Sequence, residues 1–99
     1  MKLSEWELAG TFGVDSGLAF VGDPCYFITP DANNHPAKTW PEFCDMLDMD
    51  EKRYQAFNYR LGHNGLGVCI STGYGDGEYP VYVKKNKEGR IMRVLIKFD

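Results

Sequence analysis

Short runs of alternating apolar and polar residues, bounded by glycine, proline and asparagine, constrain this chain more than any other feature. In the run near the C-terminus, four apolar side chains share one parity: Met92, Val94, Ile96 and Phe98. Alternation with a period of two is typical of a β-strand with one buried face. Residues 79–84 and 90–98 are therefore predicted to be two strands, connected by residues 85–89.

The N-terminal segment follows the same pattern. Between residues 4 and 14, one parity carries the apolar side chains and a glycine: Trp6, Leu8, Gly10, Phe12 and Val14. Asp15, Ser16 and Gly17 then form a turn signal, because glycine adopts the left-handed conformation at little cost. Residues 18–21 are apolar and indicate a second strand. The two strands are predicted to pair as a hairpin.

The middle of the chain contains one clear helix signal. Thr39 and Glu42 match the S/T-x-x-E capping box, and Pro41 suits the first turn, where its missing N–H costs nothing. One apolar face follows at helical spacing: Trp40, Phe43, Cys44 and Leu47. Acidic residues are unfavourable at a helix C-terminus, so the helix is predicted to end near Asp48 or Met49.

Other segments have weaker patterns. Pro24 interrupts the second strand, and residues 25–28 are predicted to be either a third strand or a buried connector. Residues 29–38 contain prolines and asparagines that favour a surface loop, and residues 62–65 indicate a turn. Residues 51–61 fit both helical and strand spacing, with a slight preference for a short helix or an irregular segment.

Together these elements predict a single domain over residues 1–99 with an α+β fold that is mainly antiparallel β. Five to six strands are expected to form a small β-sandwich or a partly open barrel, with one short helix packed on it. A chain of 99 residues buries roughly 60–65% of its unfolded surface, which is enough for one modest core.

Charge and cysteine content limit the classes of function. A net charge of −3 does not suit nonspecific binding to long nucleic acid, which requires a dominant positive field. No apolar signal sequence and no run of about 20 apolar residues is present, so we expect a cytoplasmic protein without a membrane partner. The cysteines have no metal-site spacing; we expect three free thiols, with Cys44 and Cys69 buried and Cys25 more reactive.

A glycine-rich stretch lies between the apolar run at residues 66–70 and the strand that begins at Tyr79. Three glycines alternate there with polar or aromatic side chains: Gly73, Tyr74, Gly75, Asp76, Gly77 and Glu78. Such a loop can present backbone N–H groups, hydroxyls and an aromatic face to a ligand. The same composition also fits a hairpin connection that binds nothing. Both interpretations stay open from the sequence.

The turn motifs resemble those of a known family. They lie in two stretches, residues 12–28 and 67–98: Val14-Asp15-Ser16-Gly17, Gly22-Asp23-Pro24, the run GDGEYPVY from Gly75 to Tyr82, and Gly89-Arg90-Ile91. The chain is similar to the DUF4241 type, a family of small β-rich proteins without an established activity. This resemblance implies a β fold and supplies no catalytic residues. In its compactness the chain is also similar to small phage accessory proteins.

Catalytic and metal sites are not predicted. The chain has no G-x-S-x-G elbow, and the acids at residues 45–51 lack the pattern of a calcium loop. Cysteine and histidine are not spaced for zinc, and no cofactor motif is present. The turn aspartates Asp15, Asp23 and Asp76 fit ligand recognition, but they also fit ordinary hydrogen bonding within turns.

The leading hypothesis is a non-enzymatic protein that binds a small polar or nucleotide-like ligand. Aromatic faces beside glycine-rich backbone suit stacking on a nucleobase. The candidate ligand-binding residues are Asp15, Ser16, Asp23, Tyr26, Ser71, Thr72, Gly73, Tyr74, Asp76 and Tyr79. The candidate sources of local positive charge are Lys38, Lys84, Lys85 and Arg90. The most specific form of this ligand-binding hypothesis is a phage-encoded sponge that sequesters a nucleotide-type immune signal.

Two alternatives belong to other functional classes. The first is a protein–protein interaction module, or an inhibitor of a host enzyme, that uses the acidic helix and exposed tyrosines. The second, ranked last, is a small hydrolase that uses the turn aspartates. Homo-oligomerisation is left open.

Overall fold

The computed structural model describes residues 5–28, 37, 39–58 and 64–99. This part of the chain forms six strands, two short α-helices and a 3-10 helix at Asp50–Lys52. In chain order the strands and α-helices are β1 (Glu7–Val14), β2 (Leu18–Gly22), α1 (Cys25–Ile28), α2 (Trp40–Met46), β3 (Tyr54–Phe57), β4 (Gly67–Ser71), β5 (Gly77–Lys85) and β6 (Ile91–Ile96). The strands pair antiparallel in two open three-stranded sheets, β1-β5-β6 and β2-β4-β3. The predicted fold class, mainly antiparallel β with a short helix, is confirmed.

The chain divides into two compact units. The first unit consists of Met1–Gly17 and Thr72–Asp99 and contains the sheet β1-β5-β6. The second unit, Leu18–Ser71, contains the sheet β2-β4-β3 and both α-helices. The single domain over residues 1–99 stays a prediction.

Two connections that were predicted or considered as hairpins instead join different sheets. β1 pairs with β5 and β2 pairs with β4, so residues 15–17 lead from one sheet to the other. Residues 72–76 lead back in the same way, from β4 to β5. The predicted first hairpin is therefore wrong, and so is the hairpin interpretation of the glycine-rich stretch. Turn residues set the local change of chain direction, whereas the partner of a strand is set by cross-strand packing.

A β-bulge changes the face of β1. Leu8 lies opposite Tyr82 and Gly10 lies opposite Val81, so one extra residue separates the two pairs. Val14 is buried as expected, whereas Leu8 is 56% exposed. The sequence predicted that alternate residues from Trp6 to Val14 share one buried face, and this is wrong at Leu8. The extra residue of a bulge moves the side chains that precede it to the other face of the strand.

The connection between β5 and β6 is a hairpin, as residues 85–89 predicted. The Asn86 N–H donates to the Arg90 carbonyl at 2.8 Å. The Asn86 side-chain oxygen accepts from the N–H groups of Glu88 at 2.9 Å and Arg90 at 3.0 Å. Gly89 takes a φ of 82°, the left-handed value that glycine tolerates. Asparagine and glycine thus fix this turn locally.

Pro80 lies in the central strand β5, where proline is unusual because it cannot donate to the ladder. Its carbonyl accepts from the Lys97 N–H at 3.3 Å, but it has no N–H to return the bond. This position falls at the end of the β5–β6 ladder. The ladder loses one bond there, which agrees with β6 ending at Ile96, before the predicted boundary at residue 98.

The core of the second unit is aromatic. Its buried members are Phe57, Leu66 and Cys69, with exposed fractions of 4%, 1% and 1%. Half-buried side chains pack around them: Leu18, Phe20, Tyr26, Phe43 and Leu47. The Phe57 ring centroid lies 5.1 Å from that of Phe43 on α2 and 5.8 Å from that of Phe20 on β2. Phe57 therefore connects helix and sheet within this unit.

Both ends of α2 have side-chain caps. The Thr39 hydroxyl accepts from the Glu42 N–H at 3.2 Å, as the capping box predicted. The helix ends at Met46, earlier than predicted, and Gln55 of β3 binds its end. The Gln55 amide donates to the Met46 carbonyl at 3.0 Å and accepts from the Asp48 N–H at 2.6 Å. A partner on another element thus decides where the helix stops.

Replacing Thr39 by alanine is expected to lower the free energy of unfolding by about 1 kcal/mol, because the Glu42 N–H loses its acceptor. Urea denaturation of both proteins measures this difference. Thr39→Ser is the matched control, since it keeps the hydroxyl and should lose much less. Equal stability of the alanine and serine variants would contradict a capping role.

The prediction for residues 25–28 is wrong, and the ambiguity over residues 51–61 is resolved. Residues 25–28 form the one-turn helix α1, and not a strand or a buried connector, since Cys25 is exposed. Asp23 begins this turn by accepting from the Cys25 N–H at 2.9 Å. For residues 51–61 the sequence left helix and strand open: residues 50–52 form a short 3-10 helix. Residues 54–57 form β3, because they pair with β4, so the slight preference against a strand does not hold there. The predicted loop, apart from residue 37, and residues 59–63 lie outside the described residues.

No disulfide links cysteines in the described part of the chain. Cys69 is buried as predicted, and this burial raises the pKa of its thiol, although a hydrogen bond from the Ile70 backbone acts in the opposite direction. Cys44 is exposed, so its predicted burial is wrong. Phe43 of the short helix and Leu47, which directly follows it, pack against the core, whereas Cys44 does not. Among the described helices, none is long and apolar enough to span a membrane.

Candidate functional site

Two loops of the first unit meet beside its sheet, and we call them the crossover loops: residues 15–17 and residues 72–76. Two hydrogen bonds connect them at Gly17. The Thr72 N–H donates to the Gly17 carbonyl at 3.1 Å, and the Gly17 N–H donates to an Asp76 carboxylate oxygen at 2.9 Å. Gly17 takes a φ of 72°, which allows its two backbone groups to serve both contacts. The loops therefore form one connected structure.

Two hydroxyl groups fix the interior of the second crossover loop. The Thr72 hydroxyl donates to the Gly75 carbonyl at 2.9 Å, and the Tyr79 hydroxyl donates to the same carbonyl at 2.7 Å. Both side chains are buried, with exposed fractions of 3% and 8%. The Tyr79 ring packs against Phe12 and Phe98, at centroid distances of 6.2 and 5.1 Å. The aromatic core of this unit thus holds the loop in place.

Tyr74 has the opposite environment. It is 71% exposed, more than the other exposed large hydrophobic side chains in the described residues. Its neighbours Gly73 and Gly75 have φ values of 78° and 79°, a left-handed conformation that tyrosine itself rarely adopts. The N–H groups of Gly73, Tyr74 and Gly75 donate to no described residue. The loop therefore presents an aromatic face and several backbone donors to solvent.

The structure separates the predicted site residues into two groups. The first unit holds most of them in or beside the crossover loops: Asp15, Ser16, Thr72, Gly73, Tyr74, Asp76 and Tyr79. Of these, all but Thr72 and Tyr79 are exposed: Asp15, Ser16, Gly73, Tyr74 and Asp76. The hydroxyls of Thr72 and Tyr79 and one oxygen of Asp76 already have partners within the unit. Their first role is to shape the loops.

The remaining predicted site residues belong to the second unit and have structural contacts there. Asp23 begins α1, as described above. Tyr26 is half-buried against the aromatic core. The Ser71 N–H donates to the Arg53 carbonyl at 2.9 Å. These contacts agree with the ordinary turn chemistry that the sequence left open for Asp23.

The predicted sources of positive charge pair with carboxylates on the same unit. Lys84 lies 3.5 Å from Glu5, Lys85 lies 3.4 Å from Glu7 and Arg90 lies 3.5 Å from Glu88. Lys38 lies outside the described residues. The charged side chains of the crossover loops themselves are acidic. Binding of an anionic group at these loops would therefore depend on backbone N–H donors.

No group of three or more histidine, cysteine or acidic side chains is arranged to hold a metal ion in the residues that the structure describes. The loops instead offer hydrogen-bond donors, carboxylate acceptors and one aromatic ring. Such groups can bind and orient a small molecule.

Two residues of the loops were missed by sequence reasoning. Gly17 connects the loops through its backbone, and Gly75 receives both buried hydroxyls through its carbonyl. A glycine signal was visible at both positions, but it indicates conformational freedom and not the partner. The contact between Gly17 and Asp76 spans 59 residues of sequence, which no local pattern reveals.

Comparison with known proteins gives one match. A family model described as "Protein of unknown function (DUF4241)" matches residues 1–96. This range is wider than the two stretches whose turn motifs carried the resemblance. No curated protein and no solved structure matches the chain.

Proposed function

The chain belongs to the DUF4241 family, and on that premise we propose that it is a non-enzymatic protein that binds a small polar, nucleotide-like ligand at the crossover loops. The observation that carries the proposal is Tyr74. Its ring is 71% exposed although the loop around it is fixed by hydrogen bonds. A fixed loop loses little conformational entropy when a ligand binds, so the ring is ready for stacking.

A nucleotide matches the other groups of the loops. Its base has a planar face for Tyr74, and such stacking contributes roughly 1–3 kcal/mol per base. Its phosphate or carbonyl oxygens can accept from the unpaired N–H groups of residues 73–75. The carboxylates of Asp15 and Asp76 can accept hydrogen bonds from amino groups of the base.

A sponge is the specific form of this proposal that we favour. Binding without chemistry removes a nucleotide signal from solution, and it requires affinity but no nucleophile or general base. The hydroxyls of Thr72 and Tyr79 support this form. They are buried and donate to the Gly75 carbonyl, so neither is placed to act as a nucleophile. A phage-encoded protein that acts against a nucleotide immune signal would use binding in this way.

The test compares wild type with Tyr74→Ala and Tyr74→Phe. A thermal-shift screen with nucleoside monophosphates, cyclic nucleotides and cyclic dinucleotides first identifies ligands that raise the melting temperature. Calorimetric titration then measures affinity. We expect Tyr74→Ala to weaken binding by about 10- to 100-fold, since it removes the stacking face.

Tyr74→Phe is the matched control, because it keeps the ring and should retain most of the affinity. Urea unfolding should show nearly equal stability for all three proteins, since Tyr74 is exposed. Recovery of unchanged nucleotide after incubation distinguishes a sponge from a hydrolase. If no nucleotide of the panel binds wild type, or if Tyr74→Ala binds as wild type does, the proposal fails.

A protein–protein interaction module is the second candidate function. It is favoured by exposed apolar side chains on the second unit: Trp40 at 54%, Tyr54 at 55% and Met46 at 41%. Tryptophan, tyrosine and methionine are enriched in protein interfaces. Capture of a host enzyme by wild type, and its loss with Trp40→Ala, would favour this function over the sponge.

A further inference from the structure

The outer strand β6 carries a row of exposed apolar side chains. Ile91, Met92 and Val94 are 57%, 52% and 61% exposed. Among the described strands β6 pairs only with β5, so its other edge has no strand beside it. It contains no proline that would prevent pairing. An exposed apolar edge of this kind can pair with another strand.

The backbone of β6 has N–H and C=O groups at this edge that can form hydrogen bonds. The Lys97 N–H points to β5, since it donates to the Pro80 carbonyl at 3.3 Å. The peptide groups of an antiparallel strand point to alternate sides, so those of Val94 and Ile96 point away from β5. No hydrogen bond to a described residue occupies these outward groups. They can therefore bond to an added strand.

The side chains of β6 differ between the two faces of the sheet. Val94 lies opposite Val83, which is buried, so it extends the apolar face of the first unit. Arg93 and Lys97 share the other face with Leu95, because their parity is opposite to that of Val94. No carboxylate of the described residues forms an ion pair with either cation. The edge thus combines one apolar face with one face whose charged side chains are both cations.

We propose that the edge of β6 binds an extended segment of a partner protein that has an acidic face and an apolar face. Its acidic residues would lie opposite Arg93 and Lys97, and its apolar residues opposite Val94 and Ile96. The same sheet already contains such an arrangement: Glu5, which precedes β1, and Glu7, its first residue, lie 3.5 and 3.4 Å from lysines of β5.

Charge disfavours a second copy of this chain as the occupant. An antiparallel pairing of two β6 strands centred on Val94 places each Arg93 diagonally across from Arg93 and Lys97 of the other copy. Like charges at such positions repel. The proposal is independent of the ligand site at Tyr74, and its test uses a different probe.

The probe is a fluorescently labelled synthetic peptide of about ten residues, in which glutamates four residues apart share one face and valines occupy the other. Fluorescence anisotropy measures its binding to the full chain. The glutamate peptide should bind, and added salt should weaken the binding because the cations are exposed. A matched peptide with lysine in place of glutamate should not bind.

Two variants locate the site. Val94→Pro removes an outward N–H without removing a bond to β5, and should abolish strand addition. Arg93→Glu should weaken binding of the glutamate peptide at least about tenfold and allow the lysine peptide to bind. Circular dichroism checks folding, and Arg93→Glu remains decisive if Val94→Pro does not fold.

Three results would overturn the proposal. Wild type could fail to bind the glutamate peptide, or Arg93→Glu could bind it as tightly as wild type does. Thirdly, light scattering could show a dimer that Val94→Pro converts to monomer, which would make a second copy the occupant. Nucleotide binding should be the same in wild type and Val94→Pro, so failure here is distinguishable from failure of the ligand site.

Discussion

Replacing Phe57 by alanine is expected to lower the free energy of unfolding by about 3–5 kcal/mol, the range for deletion of a buried phenylalanine side chain. Phe57 is 4% exposed, and its ring contacts Phe43 of α2 and Phe20 of β2. The substitution leaves a cavity between the helix and the sheet of the second unit. Urea denaturation followed by circular dichroism measures the loss.

Tyr54→Ala is the matched control for this prediction. Tyr54 is an aromatic residue of the same strand, but it is 55% exposed, so its loss should change stability by about 0.5 kcal/mol or less. Phe57→Leu should fall between the two alanine variants and keeps the prediction measurable if Phe57→Ala does not fold. Equal losses for Phe57→Ala and Tyr54→Ala would show that Phe57 is not a core residue.

Gly67→Ala is expected to destabilise the protein by about 3 kcal/mol, a large effect for one added methyl group. Gly67 lies in the central strand β4, between Gly22 of β2 and Phe57 of β3. A Cβ there would overlap the Phe20 ring and would lie 2.6 Å from the Val21 carbonyl oxygen. The ring could turn away, but the carbonyl belongs to the backbone of the paired strand and cannot move without disturbing the ladder.

Gly13→Ala tests whether the effect comes from this close approach or from glycine in general. Gly13 also lies in a strand, β1, but a Cβ there meets nothing within 4 Å. Alanine should therefore be neutral or slightly stabilising at residue 13, since it restricts the unfolded chain. Thermal and urea unfolding of both variants should separate them clearly. A Gly67→Ala variant as stable as wild type would contradict the close packing of β4 against β2.

Both large effects concern the second unit, whereas the proposed ligand site belongs to the first. Stability and ligand binding can therefore be examined with different substitutions. Tyr74→Ala should change binding and not stability, while Tyr54→Ala and Gly13→Ala should change neither greatly. This contrast allows a loss of ligand binding to be assigned to the loop rather than to partial unfolding.

The sequence by itself determined the features that depend on neighbouring residues. Asn86 and Gly89 specify the β5–β6 hairpin through their own turn geometry. Thr39 and Glu42 specify the start of α2 through a contact three residues long. Glycines on both sides of Tyr74 indicated an irregular loop, and the tyrosine is exposed there. Each of these features follows from backbone preferences and hydrogen bonds within one short segment.

Tertiary structure alone decided which strands pair and which side chains of the loops have hydrogen-bond partners within the protein. The turn at residues 15–17 suited a hairpin, but β1 pairs with β5 because strand partners are chosen by packing between distant segments. Residues 54–57 became a strand because β4 lies beside them, and Cys44 is exposed because the neighbouring side chains Phe43 and Leu47 fill the core. Asp76 was predicted as a ligand-binding carboxylate, and it also accepts from Gly17, a residue far away in sequence. Local propensity carries no information about contacts across such separations, since they form only when apolar surfaces of the whole chain are buried together.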